Sequence, residues 1–371
     1  MTGFGAGRDH ADYTLLTYFA CILIFGLIML SSASTAVGIA RFGDSHFFIK
    51  RQIYFGVIPG LVLFFFFARF SYKIFARNTS TIFVGTILLL LLVFIPGIGS
   101  ALNTGSKSWM VIGGFSLQPS EFAKLGLVLF LAGYLSQMKE KIWDFQHGFL
   151  VALGTGLVPA LMVVAEPDVG TASILFAIIF GMLLLAGARW THMGLLALFG
   201  IVAIVSLIIV APYRAARLTT FLHPELDPQG IGYHINQAEL AIGSGGFWGL
   251  GLGRSVQKFQ YLPEVHADSI FAVISEEMGF LVSVVFLVLL TLAIFRGLKV
   301  ARNASDDYGR LVAGGILIWF STQSIMNIGA MVGMLPLTGV PLPFVSHGGT
   351  ALAISMGAVG ILTNISAYAR T

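Results

Sequence analysis

The sequence predicts an all-α integral membrane protein of ten transmembrane helices, with a large extracytoplasmic loop between helices 7 and 8. Three observations carry this expectation. The 371 residues are 57% hydrophobic and only 10% charged, with a mean hydropathy of +0.89, whereas soluble domains carry about 25% charged residues. Ten stretches are apolar over roughly the 20 residues that a helix needs to cross the hydrocarbon. Lys and Arg are spread unevenly over the connecting loops.

The spans are expected near 14–34, 47–68, 80–96, 121–137, 148–164, 171–187, 191–211, 270–295, 309–333 and 347–368, the third and fifth being short. The first ends in SSASTA like a signal peptide, but its length and the spans behind it read as an uncleaved helix. With both termini cytoplasmic, 12 of the 21 Lys and Arg fall inside, among them Arg69, Lys73, Arg77, Arg296, Lys299 and Arg302. The outside loops at 165–170 and 334–346 carry none, as the positive-inside rule requires. Arg41, Lys50 and Arg51 run against the pattern. Because the basic residues are scattered, the net charge of +4 speaks for topology and against nucleic acid. One cysteine, Cys21, excludes an intrachain disulfide and a cysteine metal site. The chain reads as one membrane domain over 1–371 with no appended soluble domain, and without a visible internal repeat, which weakens an inverted-repeat transporter.

Two outside segments are too long to be simple connections, 97–120 and 212–269. In the second, Asp227-Pro228 opens a short helix through NQAELAIG whose Ile231, Ile235, Ala238 and Ile242 share a face, which suggests a helix lying on the bilayer. The glycine run GSGGFWGLGLG at 243–253 lacks the lysine and hydroxyl of a phosphate loop and does not follow a strand. It reads as a turn-rich lid or hinge.

Charges at membrane depth mark candidate sites. Glu121 and Lys124 are three apart and can pair; Gln118-Pro119-Ser120-Glu121 reads equally as a helix start, with Pro at N1 and Glu favourable to the dipole. Asp168 is placed to cap VGTASILF. Glu276 and Glu277 cannot both face lipid, so at least one points to a polar interior. Asp268, just before SIFAVIS, is either an N-cap or a base whose affinity for protons is raised by desolvation. Capping and catalysis both stay open on the residues alone.

The segments YLPEVHADSIFAVISEEMGF, GSKSWMVIGGFSLQPSEFAKLG at 105–126, AEPDVGT at 165–171, DPQGIGYHINQAELAIGSGG at 227–246 and PFVSHGGT at 343–350 resemble, in order, the SEDS family (shape, elongation, division, sporulation). The wording of QKFQYLPE and PYRAARLTTFLHPELDPQG looks closer to its division branch, FtsW, than to its elongation branch, RodA. The resemblance implies a peptidoglycan glycosyltransferase of the bacterial cytoplasmic membrane that polymerises lipid II into undecaprenyl-pyrophosphate-linked glycan beside a class B penicillin-binding protein. It puts the family's essential aspartate on Asp268, its membrane Glu and Lys on Glu121 and Lys124, and the aspartate of PDxGT on Asp168. Many relatives have HTDFIFA where this chain has Ala267 and Ser269, an Arg where it has Ser108, and SYGG where it has His347.

On this reading Asp268 is the general base, and Lys107, Arg214, Arg217 and Lys258 neutralise pyrophosphate from a mobile loop with His266 nearby. A divalent cation is conceivable, although no metal-ligand cluster stands out. Two rivals follow from the same residues. A lipid II flippase would work through Glu121, Glu276 and Glu277, and a division scaffold would need no chemistry.

Overall fold

The computed structural model describes residues 11–100, 108–112, 115–210, 219–227 and 229–369. In chain order its main helices are α1 (Tyr13–Phe42), α2 (Phe47–Arg69), α3 (Thr79–Phe94), α4 (Pro119–Met138), α5 (Phe145–Ala165), α6 (Val169–Leu185), α7 (Trp190–Val210), α8 (Ile231–Ser244), α9 (Ile270–Arg302), α10 (Asp307–Met331) and α11 (Gly349–Ser366). Six of them, α1, α2, α5, α9, α10 and α11, are long and apolar enough to cross a membrane. The shorter apolar helices are α3, α6 and the Trp190–Val202 part of α7.

The helix starts follow local chemistry. Pro119 opens α4, where its missing N–H costs nothing, and Glu121 sits in the first turn against the positive end of the dipole. Asp168 caps α6 by accepting from Thr171 N at 2.9 Å, and Asp227 accepts from Gly230 N and Ile231 N at 3.0 and 2.8 Å to start α8. On α8 the buried residues are Gly232, Ile235, Ala238 and Ala241, so the expected apolar face packs on protein, mainly against α9.

Helix α4 is the centre of the bundle. It is buried along nearly its whole length and packs against α3, α5, α6 and α10. The closest pair is α2 with α11. A Cβ at Gly360 would fall 2.5 Å from Phe64 O and 3.0 Å from Phe64 Cα, so these backbones touch only because Gly360 has no side chain. The two ends of the described chain meet at one end of the bundle: Asp12 N donates to Ser366 Oγ, and Arg296 Nε donates to Asp12 Oδ2 at 2.7 Å. Tyr72, Asp306 and Asn364 join there, with Tyr72 N on Asn364 Oδ1 and Tyr72 OH on Asp306.

Three features correct the expectations. The first long segment, given no secondary structure in the sequence analysis, holds β1 (Gly99–Ser100), β2 (Trp109–Ile112) and β3 (Phe115–Leu117), a small antiparallel sheet in the order β1-β2-β3. The first span runs on to Phe42 and ends at Gly43 in the left-handed region (φ +67°), a stop that glycine makes easy. The eighth span is broken at Gly279, where φ is 75° and ψ −178°.

That break explains the glycine run. Interrupting a helix frees carbonyls before the break and amides after it, and in a membrane protein each must be paired internally. Leu250 N and Gly251 N donate to Glu276 O and Glu277 O at 3.0 and 2.9 Å, while Phe280 N and Leu281 N donate to Gly246 O and Phe247 O at 2.9 and 3.2 Å. The run is rich in turns, but it is an anchored plug for the broken helix and not a free lid.

Candidate active site

Asp268 stands on a turn whose backbone is pinned from three directions. The carbonyl of His266 accepts from His347 N at 2.8 Å, that of Ala267 from Ser346 Oγ at 2.5 Å, and that of Asp268 from Asn327 Nδ2 at 2.7 Å. Ser346 is held in turn by Leu342 N, which donates to its hydroxyl, and its carbonyl accepts from Gln52 Nε2. The cap position of α9 belongs to Ser269, with no side-chain capping bond. Asp268 is therefore not the N-cap, which removes one of its two sequence-level readings. The helix starts one residue later than SIFAVIS suggests, because Ser269 Oγ is turned away to Pro263 O at 2.7 Å.

With that hydrogen spent on Pro263, Ser269 Oγ accepts from His234 Nε2 at 2.6 Å, so α8 is joined to the turn. Burial holds the His234 imidazole below its usual range, consistent with a neutral ring that donates. Burial, and next the charge of Glu264, push the Asp268 carboxyl from 3.8 to about 7, against a smaller pull from its own and Ser269's backbone amides. A carboxylate poised near neutral pH suits proton abstraction. His266 packs its ring on Phe48 at 4.1 Å between centroids and lies 3.7 Å from Glu264. Burial lowers the proton affinity of both His266 and His347, the latter to about 3.

The Asp268 side chain borders a narrow cleft, too tight to admit a water molecule, with Asn327, Met331, Leu337, Thr338 and Val340. Helix α10 reaches it through Asn327, Ala330 and Met331, and Asn327 belongs to a polar face of that helix. Trp319, Gln323 and Asn327 recur every four residues, so they lie above one another on one side of the helix. Gln323 Oε1 accepts from Trp319 Nε1 at 2.7 Å and from Lys124 Nζ at 2.9 Å, while its Nε2 donates to Pro341 O. Lys124 also pairs with Glu121 at 2.8 Å, both side chains almost fully buried, and its ammonium lies 5.0 Å from the Trp319 ring centroid. The helix-start and ion-pair readings of Glu121 hold together: the residue does both.

Glu276 and Glu277 both face a polar interior. Glu276 accepts from Ser255 Oγ and from Val256 N and Gln257 N; Glu277 binds Ser32 Oγ and Lys258 Nζ, the latter at 2.7 Å. Lys258 is consequently not a mobile loop cation. Its side chain is 3% exposed and its ammonium is committed to Glu277 and Ser32, a correction that follows from the cost of leaving the Glu277 carboxylate buried alone.

Asp168 is placed as the cap of α6, and beside it Glu166 is 1% exposed with neither carboxyl oxygen hydrogen-bonded among the described residues. Burial and then Asp168 raise the Glu166 carboxyl to about 8. Lys107, Arg214 and Arg217 lie outside the described residues. Among the described residues no group of three or more His, Cys, Asp or Glu gathers as a metal site. Sequence reasoning missed His234, Gln323, Asn327 and Ser346. The four-residue spacing of Trp319, Gln323 and Asn327 in an apolar helix was the available signal for the second and third.

A bundle of apolar helices with buried ion pairs, a pinned loop carboxylate and a cleft beside it defines a polytopic membrane protein with an enzyme-like site. The family described as Cell cycle protein (FtsW, RodA, SpoVE) matches residues 13–371, and the chain belongs to this family, that of the SEDS proteins. It is 42% identical to stage V sporulation protein E of Bacillus subtilis (strain 168) over 98% of this chain and 99% of that one. It is 38% identical to the probable peptidoglycan glycosyltransferase FtsW of Escherichia coli O6:H1 over 95% of this chain and 85% of that one. Among solved structures it is similar to Rod shape determining protein RodA of Thermus thermophilus, with a TM-score of 0.70 and 26% identity over 96% of both chains. It is also similar to a chain in a structure describing how a peptidoglycan synthase complex coordinates polymerization and crosslinking, with a TM-score of 0.78 and 26% identity over 96% of this chain and 97% of that one.

Proposed function

We infer that this chain is a peptidoglycan glycosyltransferase that polymerises lipid II at the outer face of the bacterial cytoplasmic membrane. Family membership and relatives bearing that activity in their names support the reaction class. The observation that carries the site is Asp268: the turn that bears it is fixed by hydrogen bonds to three successive carbonyls, while its carboxyl borders a tight cleft with its pKa near neutrality.

In the reaction, Asp268 takes the proton from the 4-hydroxyl of the incoming GlcNAc. The oxygen forms its bond to the anomeric carbon of the growing strand, the bond from that carbon to the undecaprenyl pyrophosphate breaks with inversion from α to β, and the pyrophosphate leaves as an anion. Lys107, Arg214 and Arg217 belong to the segments proposed to neutralise it. Asp168, capping α6, and the buried Glu121–Lys124 pair, joined to α10 through Gln323, are proposed to hold the helices around the substrate, and His266 supports the turn.

Ten spans, with both termini cytoplasmic and Asp268 outside, make up the proposed topology. The meeting of Asp12 with Ser366 at one end of the bundle supports an even count, and the basic loops at Arg69, Lys73 and Arg77 support that end as the inner one. A class B penicillin-binding protein is the proposed partner, supported by the likeness to a synthase complex. Relatives named for sporulation and for division both match over nearly the whole chain.

The test is purified full-length protein, with and without its partner, on labelled lipid II. Glycan strands that vanish with Asp268→Asn support the assignment. Translocation of lipid II without polymer, unchanged by that substitution, overturns it in favour of a flippase, and partner binding without either activity leaves a scaffold.

A further inference from the structure

At the end of the bundle where the two ends of the described chain meet lies an open cavity of about 330 Å³, lined by Asp12, Tyr13, Thr14, Arg296, Lys299 and Asn303 among others. Its charges are not balanced internally. Asp12 is committed: it accepts from Leu15 N at 3.0 Å and from Arg296 Nε at 2.7 Å. The two terminal nitrogens of Arg296 carry no hydrogen bond among the described residues. The exposed Lys299 has neither a hydrogen bond nor an ion pair from its side chain among them. Thr14 and Asn303 add side chains that are likewise uncommitted. The lining therefore offers donors and a surplus of positive charge, which an oxyanion such as a phosphate group would meet.

The surface leading to this cavity is apolar. Along α9 the exposed residues Leu281, Val285, Val288, Leu292 and Phe295 recur in alternating steps of four and three, the spacing of one helix face. The next two positions on that face are Lys299 and Arg302, also exposed. A stripe of this kind faces lipid, and its change from apolar to basic marks where hydrocarbon gives way to headgroups. Tyr13, 66% exposed at the start of α1, lines the same cavity and suits that boundary, where tyrosine is enriched. A soluble anion would engage the cations and leave the stripe unused; a lipid with a negative headgroup engages both. We propose that the cavity seats the phosphate-bearing headgroup of an anionic glycerophospholipid, held by Lys299 and the terminal nitrogens of Arg296, with an acyl chain along the α9 stripe. On the proposed topology this is a lipid of the inner leaflet. It would join α1 to α9 beside the Asp12–Arg296 pair, at the far end of α9 from Asp268, so the site stands independently of the glycosyltransferase reading.

The experiment takes the full-length protein through native mass spectrometry and thermal unfolding in detergent, with phosphatidylglycerol or phosphatidylcholine of identical acyl chains added. Wild-type protein should retain phosphatidylglycerol about tenfold better than phosphatidylcholine, and its unfolding midpoint should rise by about 3 °C or more with the anionic lipid only. Lys299→Gln removes a charge that has no protein partner, so it folds in any case; it should cut the preference about fivefold and abolish most of the shift. Arg77→Gln, at an exposed basic residue outside the cavity, should change neither. Equal retention of the two lipids by wild-type protein overturns the proposal. So does an undiminished preference in Lys299→Gln, or an equal loss in Arg77→Gln, which would mean a general attraction to basic surface. Inorganic phosphate that reproduces the shift without lipid assigns the cavity to a soluble anion and overturns the proposal as well.

Discussion

Lys124 and Gln323, 199 residues apart in the chain, share a hydrogen bond of 2.9 Å at the core of the bundle. Through it the buried Glu121–Lys124 pair on α4 is joined to α10, and one turn further along α10 the Asn327 amide holds the Asp268 peptide. Gln323 and Asn327 also hold successive carbonyls of the α10–α11 connection, Pro341 O and Val340 O. The ion pair is thus a foundation for the turn that carries the carboxylate.

Glu121→Gln should leave the Lys124 ammonium buried with its charge uncompensated, at a cost of about 3–5 kcal/mol. Glu121→Gln combined with Lys124→Met removes both charges and should be the milder change. Gln323→Leu deletes an acceptor and a donor while sparing the pair, and should cost about 1–3 kcal/mol. Thermal unfolding in detergent orders the three variants. Equal stability of the single and double variants at Glu121 and Lys124 would mean that the pair contributes no coupling.

The Asp268 carboxyl is raised from 3.8 to about 7, first by burial and second by the charge of Glu264. The sign for activity follows from the base form: polymerisation should climb with pH, about tenfold per unit below 7, and level off above it. For stability the sign is opposite. The folded state favours the neutral acid, so this contribution is complete below the unfolded pKa near 4 and is lost as pH rises through about 7. Glu264→Gln removes the second cause and should shift the acidic limb of the rate profile to lower pH without abolishing activity. A limb that stays in place would show that the Glu264 charge is not felt at Asp268.

Lys258 answers to Glu277 and not to a substrate phosphate. Lys258→Met should destabilise the protein by several kcal/mol because it strands a buried carboxylate, and adding Glu277→Gln should restore much of that loss. Native stability in Lys258→Met, with a selective rise in KM for lipid II, would return the residue to the substrate.

Much of this fold was legible because its signals are local. Apolar stretches, the Pro119 start, the Asp168 and Asp227 caps and the i, i+3 pairing of Glu121 with Lys124 all act within a few residues of themselves. The small sheet has a local signal as well: WMVI and FSL flank Gly113-Gly114, a hairpin pattern embedded among apolar spans. The capping alternative for Asp268 fails by one position, the cap falling on Ser269, and the residues alone do not show this because the partner of Ser269 Oγ, Pro263 O, is fixed by loop geometry. Lys258, 19 residues before Glu277, looked like loop charge because nothing in the sequence folds that loop back onto α9. Asn327 matters through groups 59 and 13 residues away in sequence, a distance that a single sequence does not bridge.

Gly279 is the clearest case of a residue whose sequence context conceals its task. Glycine in an apolar run reads as a place where helices approach, yet its φ of 75° and ψ of −178° belong to a region open essentially to glycine alone. A Cβ there would also collide with Gly249 N and lie 2.5 Å from Trp248 C. Gly279→Ala should therefore combine backbone strain with a backbone clash and expel the 246–251 plug, which exposes the freed carbonyls of Glu276 and Glu277 together with the Lys258 pair just before the break. Gly43→Ala is the control: Gly43 has positive φ but nothing within 4 Å of its Cβ position, so it should cost only about 1–2 kcal/mol of strain. Accumulation and thermal unfolding of the two variants check this. If Gly279→Ala is no less stable than Gly43→Ala, the plug is not what holds the broken helix.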